Sequence, residues 1–152
     1  MLKIATSASA VALMAAVIAT PAALADTPFT GTGVLELAQT IDVECRITVN
    51  GVAHSDGSVT VDDVSFTPGN VLCGIAIFDD GPWDIEDNPG PTSITLYVTA
   101  ATFVGGNCSG WITVPYDSST GELTFNNVSV PGSPAPCTIN DGSEKFTLTP
   151  PI

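Results

Sequence analysis

A single histidine, four cysteines and a ten-residue run with five acids are the places where this chain could do chemistry. His54 is followed by Ser55 and Asp56, the three residue types of a hydrolytic triad. Their spacing defeats that reading, because strand neighbours point to opposite faces and these three lie in the turn between Asn50 and Gly57. No G-x-S-x-G elbow is present to present a serine as nucleophile. His54 therefore reads as an exposed turn residue. Cys45, Cys73, Cys108 and Cys137 lack C-x-x-C spacing, and one histidine is too few for the usual zinc sets. They read as two structural disulfides, which leaves no thiol nucleophile.

The acidic run Asp79–Asn88, DDGPWDIEDN, is the most unusual segment. Asp79, Asp80, Asp84, Glu86 and Asp87 offer oxygen ligands at a density that could hold Ca²⁺, which takes six to eight of them. Neither EF-hand spacing nor a G-G-x-G-x-D repeat is present, so a solvated acidic loop is the simpler reading. Trp83, at the centre of the run, is either a core plug or an exposed apolar contact, and Trp111 is the other candidate contact. Carboxylates abound, but nothing locates a pair across a cleft as glycoside hydrolysis needs. Gly31-x-Gly33 has no third glycine and no basic neighbour, so it is no phosphate loop. No catalytic residue and no cofactor is expected.

Charge narrows the partners. Three basic residues stand against 16 acidic ones among 152, for a net charge of −13. Such a chain cannot displace counterions from a phosphate backbone, which excludes nucleic acid. Met1-Leu2-Lys3, the apolar run Ile4–Ala19, the break at Thr20-Pro21 and Ala23-Leu24-Ala25 together predict a secretory signal peptide, residues 1–25. The run is too short, and too interrupted by Thr6, Ser7 and Ser9, for a transmembrane anchor. No cysteine follows the cleavage site, which argues against a lipoprotein. The mature chain, 26–152, is expected to be one domain with no transmembrane segment, secreted, periplasmic or at the cell surface. It would carry a charge of −14, with Arg46 and Lys145 as its bases.

The elements that must position these residues read as strands. The mature region is rich in Thr, Val, Ile, Ser, Gly and Pro, with no sustained 3.6-residue periodicity. Alternating runs at 33–38, 42–49, 58–66, 71–78, 93–99, 110–115, 122–130 and 145–149 are separated by turn signals such as Asn50-Gly51, Asp56-Gly57 and Thr120-Gly121. The expected fold is all-β, an antiparallel β-sandwich or Greek-key barrel of eight to ten strands. Gly57–Cys73 and Gly121–Cys137 are echoes, each seventeen residues long and offset by 64. Gly, Thr, Val-Ser and the final Cys coincide, and Ile47-Thr48-Val49 is mirrored by Ile112-Thr113-Val114. Internal duplication of a β-unit is the favoured explanation. Four cysteines allow three pairings, and the echo selects Cys45–Cys73 with Cys108–Cys137.

The order of these features resembles a known family. Cys45 with Asn50-Gly51, the strand 61–66, Cys73 with Ile75, Gly81-Pro82-Trp83, Gly105-Gly106-Asn107-Cys108 and a late Cys137 look like the protein activator of alkane oxidation family. The resemblance implies a non-enzymatic exported protein that helps its host contact or emulsify long-chain alkanes. Two roles are carried forward from the residues. One is a surface-active or apolar-ligand-binding accessory, whose partner is a hydrophobic small molecule or an oil surface. The alternative is a structural or adhesive cell-surface or fibre component that self-associates through β-edges, since the chain has few of the lysines that block edge pairing.

Overall fold

The computed structural model describes residues 25–67, 73, 77–78, 83–102 and 106–152. Within them the chain forms twelve strands and no helix: β1 (Thr27–Ala38), β2 (Asp42–Ala53), β3 (Val59–Thr67), β4 (Ile77–Phe78), β5 (Asp84–Ile85), β6 (Ser93–Thr102), β7 (Asn107–Asp117), β8 (Glu122–Leu123), β9 (Val128–Val130), β10 (Gly132–Ser133), β11 (Cys137–Asp141) and β12 (Phe146–Thr149). The two-residue alternation dictates what each strand buries. Along β2, Val43, Cys45, Ile47 and Val49 point inward; along β7, Cys108, Ile112, Val114 and Tyr116 do so. These join Leu35, Ile94, Leu123, Val130, Phe146 and Leu148 in one apolar core.

More strands are present than the eight to ten expected, because four of the twelve are two residues long. The run 122–130 is divided into β8 and β9 by a bend in which Asn127 adopts φ 50°. Of the run 71–78, only Cys73 and β4 lie within the described residues.

All pairings are antiparallel, and the sheet runs β3-β2-β1-β12-β8-β7-β6-β4, with β11 on β1, β9 on β11, β10 on β7 and β5 on β6. It curls into a nearly closed barrel, which resolves the sandwich-or-barrel alternative. The seam is bridged by the segment after β5. Asn88 N–H donates to Gly57 O at 2.8 Å, and Val59 N–H donates to the Asp87 carboxylate at 3.2 Å.

Both disulfides form as the echo selects, with Cα atoms 5.5 Å apart in Cys45–Cys73 and 6.1 Å apart in Cys108–Cys137. The two halves have similar local layouts. The β1–β2 hairpin corresponds to the β6–β7 hairpin, and both Gly57 and Gly121 make left-handed turns, at φ 90° and 78°. The halves are interlocked through their late strands. β1 pairs with β11 and β12 of the second half, while β6 pairs with β4 and β5 of the first. The sheet of each half is thus completed by strands of the other. The correspondence is not exact at the cysteines. With Ile47 and Val49 set against Ile112 and Val114, Cys108 falls level with Val43 rather than Cys45. That is a displacement of two residues, which keeps the side chain on the inner face.

Candidate functional site

The outward register pairs of β6 and β7 from Ser93/Pro115 to Tyr97/Trp111 form a ladder without a charged residue. Register partners there are Ser93 with Pro115, Thr95 with Thr113, and Tyr97 with Trp111. The same alternation that sends Ile112 and Val114 inward sends Trp111 and Thr113 outward. Trp111 is 53% exposed, the one large apolar side chain so exposed among the described residues. Its ring centroid lies 5.3 Å from that of Tyr97 at a tilt of 59°. Next along the ladder, the Thr95 and Thr113 hydroxyls share a hydrogen bond of 3.1 Å. Cross-strand aromatic and Thr–Thr pairs of this kind hold side chains in place on a pleated surface. Asp84, the register partner of Tyr97 on β5, and Asp117, at the end of β7, mark the rim.

Trp83 has a different setting. It is half-buried, its indole N–H donates to Thr99 O at 2.8 Å, and its ring meets Phe66 edge-on at 6.1 Å. It packs against the core as a plug in the wall, while Trp111 faces outward.

The acidic run is divided in the same way. Asp79 and Asp80 lie outside the described residues. Asp87 spends a carboxylate oxygen on the seam, Asp84 accepts the Ile85 N–H, and Ile85 is buried. Among the described residues, no three His, Cys, Asp or Glu side chains gather as a metal site would require.

His54 does find triad-like partners, but not the adjacent residues. Its Nδ1 lies 3.2 Å from Asp26 Oδ2, and its Nε2 lies 2.9 Å from Thr60 Oγ1. Asp56 instead accepts the backbone N–H and hydroxyl of Ser58. Acyl-transfer chemistry would also need free N–H groups aimed at an oxyanion. Those nearby are occupied: Ser55 N–H by Asp26, Ser58 N–H by Asp56, and Val59 N–H by Asp87. The chain of contacts therefore ties the start of the domain to the β2–β3 turn. Hydrogen bonds from the Ser55 backbone and from His54 hold the Asp26 carboxyl below the usual range, and those from Ser58 do so for Asp56. Sequence reasoning missed Asp26 and Thr60 because their approach depends on two register pairings, Thr27 with Ala53 and Val52 with Thr60. Fixing the hairpin registers from the turns would have placed them together.

The two bases are both engaged. Arg46 makes a two-pronged pair with Glu144, at 2.8 and 2.6 Å, and Lys145 lies on Asp141 and near Glu122. Outward positions on β2 and β3 are acidic, with Asp42, Glu44, Asp62 and Asp63 all exposed. The register shift at Asn50/Gly51 makes Asp62 an extra residue, so that adjacent Asp62 and Asp63 both face solvent. Residues 26–88 hold twelve of the 16 acids, and residues 89–152 hold four.

The arrangement thus pairs a charge-free aromatic ladder with a strongly acidic hairpin. No described helix is long and apolar enough to cross a membrane. No curated protein and no solved structure matches the chain. The family model described as alkane oxidation protein activator PraA/PraB-like matches residues 1–152, the whole chain. The chain belongs to the alkane oxidation protein activator PraA/PraB-like family.

Proposed function

We propose that this protein is an exported, non-enzymatic accessory to alkane use that adsorbs to oil through the outer face of β6 and β7. The observation that carries the reading is the charge-free ladder centred on Trp111 and Tyr97, set against the acidic outer face of β2 and β3. Indole and phenol rings bury an apolar body while keeping a polar atom wet, which suits them to a boundary between oil and water. Serine and threonine between them add no charge to desolvate. The carboxylates elsewhere remain hydrated, and a domain charge of −14 repels neighbouring coated droplets. Two disulfides limit how far the barrel can unfold once adsorbed, and they fit the oxidising compartment that the predicted leader 1–25 would reach.

The test compares hexadecane–water interfacial tension and emulsion lifetime for the mature protein, its Trp111→Ser variant and an Asp62→Asn/Asp63→Asn variant. The wild type should outperform an unrelated acidic protein of similar size, and Trp111→Ser should lose most of that advantage without losing its fold. Removing charge at Asp62 and Asp63 should shorten emulsion lifetime while leaving the tension unchanged. Equal tension for wild type and Trp111→Ser would remove this face from the account. Performance no better than the acidic control would remove surface activity altogether.

A further inference from the structure

Gln39 sits in the turn between β1 and β2, and its side chain reaches residues 68 to 96 positions further along the chain. Its Nε2 lies 2.6 Å from Ala135 O, 3.2 Å from Ser133 O and 3.4 Å from Asn107 O. Asn107 opens β7, and Ser133 is its register partner on β10. Gly132 lets two of these oxygens draw close. A Cβ there would lie 2.5 Å from Asn107 O and 2.9 Å from Ala135 O, so any side chain at 132 would fill the cradle. A side-chain amide has two N–H hydrogens, which cannot serve three acceptors at full strength. Its own oxygen has no donor at all: Gln39 Oε1 is buried and accepts no hydrogen bond. Buried oxygens are rarely left in that state. Four oxygens therefore gather about one amide that supplies two hydrogens. Positive charge is what the cluster lacks, and both bases of the described residues are engaged elsewhere, Arg46 on Glu144 and Lys145 on Asp141.

We infer that this cluster is a binding site for one alkali-metal cation. Turning the Gln39 amide over exchanges its two ends, so that Oε1 joins the carbonyls of Asn107, Ser133 and Ala135 around the ion. One cation then satisfies all four oxygens together, which two hydrogens cannot do. Gln39 is half-buried, so water completes the shell from outside. The donor set decides the class of ion. Neutral carbonyl oxygens suffice to replace the hydration shell of an alkali cation. Ca²⁺ sites draw on carboxylates, and Mg²⁺ gives up its waters reluctantly. None of the four oxygens here is charged. They make a different kind of site from the carboxylate one sought in the acidic run. Binding would fasten the first hairpin to β7 and β10 of the second half. The site is separate from the β6–β7 outer face and stands or falls independently of it.

Thermal midpoints of the mature protein are compared in NaCl, KCl and tetramethylammonium chloride at one ionic strength, so that screening is alike in all three. Sodium or potassium should raise the midpoint above its value in tetramethylammonium, and the rise should follow the concentration dependence of single-site binding to the folded state. CaCl₂ at the same ionic strength should add nothing further. Gln39→Glu separates an ion ligand from a simple tether. A carboxylate has no hydrogen to give the three carbonyls, so loss of a tether would destabilise the variant equally in every salt. An ion ligand instead gains a charge. The variant should then be destabilised in tetramethylammonium and rescued by sodium or potassium, with an affinity about tenfold or more above the wild type, because ligand charge tunes cation affinity on that scale. Equal wild-type midpoints in the three chlorides, or a Gln39→Glu protein that neither alkali cation rescues, would overturn the site. A wild-type response to Ca²⁺ alone would overturn the alkali assignment.

Discussion

Along β2 and β3 the outward positions include Asp42, Glu44, Asp62 and Asp63, whereas along β6 and β7 they include Thr95, Tyr97, Trp111 and Thr113. Inward, the same two regions carry near-copies, with Ile47 and Val49 in one and Ile112 and Val114 in the other. Each region also contributes a cysteine to a staple and ends at a left-handed glycine turn. The inner face is constrained by one shared core, because every side chain there must pack against the others. The outer face is free of that demand. One region accordingly carries clustered charge on its outer face while the other carries neutral side chains there. Repulsion is therefore uneven as well. Glu36 and Glu44 are direct register partners on β1 and β2, whereas the like-charge pair at the end of β7, Asp117 with Glu122 of β8, has Lys145 3.8 Å from Glu122.

The strongest way to break the comparison is to remove the staples one at a time. The disulfides join residues 28 and 29 apart, so the loop-entropy argument gives each the same stabilisation, about 3–4 kcal/mol. Cys45→Ala/Cys73→Ala and Cys108→Ala/Cys137→Ala should lower unfolding free energy equally in urea titrations. A difference well beyond the fitting error would show that the copies no longer share one structural role.

The paired turns give the next largest effect. Alanine at Gly57 or Gly121 would be forced into a left-handed conformation, at a strain cost of about 1–3 kcal/mol. The surroundings differ: a Cβ at Gly121 would lie 2.1 Å from Leu148 O, while one at Gly57 would lie 2.0 Å from the Asn88 side-chain oxygen. A side chain can rotate away and a strand carbonyl cannot. Gly121→Ala should therefore cost more than Gly57→Ala in the same titrations, and the reverse order would mean that the Gly57–Asn88 seam is the stiffer element.

Electrostatic effects should be smaller and confined to the acidic region. Raising salt at neutral pH should raise the thermal midpoint by screening self-repulsion. Asp42→Asn/Asp62→Asn/Asp63→Asn should remove most of that response, while Asp117→Asn/Glu122→Gln should remove little.

Acid should act last and in the opposite direction. Hydrogen bonds and ion pairs hold the Asp26, Glu44, Asp56, Asp117 and Glu144 carboxyls below their ordinary values, Glu44 through Ser143 and Glu144 through Arg46. A carboxyl depressed in the folded state stabilises it fully above its unfolded pKa, and that contribution is lost as pH falls through the folded value. Thermal scans should therefore show a midpoint that falls as pH drops through the depressed values of these five carboxyls. A midpoint still rising below pH 3 would mean that these hydrogen bonds contribute nothing to stability.

Much of the barrel was written locally. Period-two alternation placed Val43 to Val49 and Ile112 to Val114 on inner faces, and the echo ending at Cys73 and Cys137 picked the disulfide pairing. Trp111 was legible too, because an indole between Gly110 and Ile112 on an alternating strand must face away from the isoleucine. Other features depend on residues far apart in the chain. The exchange of late strands between halves, β1 taking β11 and β12 while β6 takes β4 and β5, follows from which sheet edges remain unsatisfied once both long hairpins have formed. The meeting of Asp26, His54 and Thr60 needs two hairpin registers at once, and Trp83 became a plug because closing the barrel brings β3 and β6 to either side of it. Residue order determines which face of a strand is apolar, a property of neighbouring residues; which strands meet, and what they enclose, is decided by closure of the whole sheet.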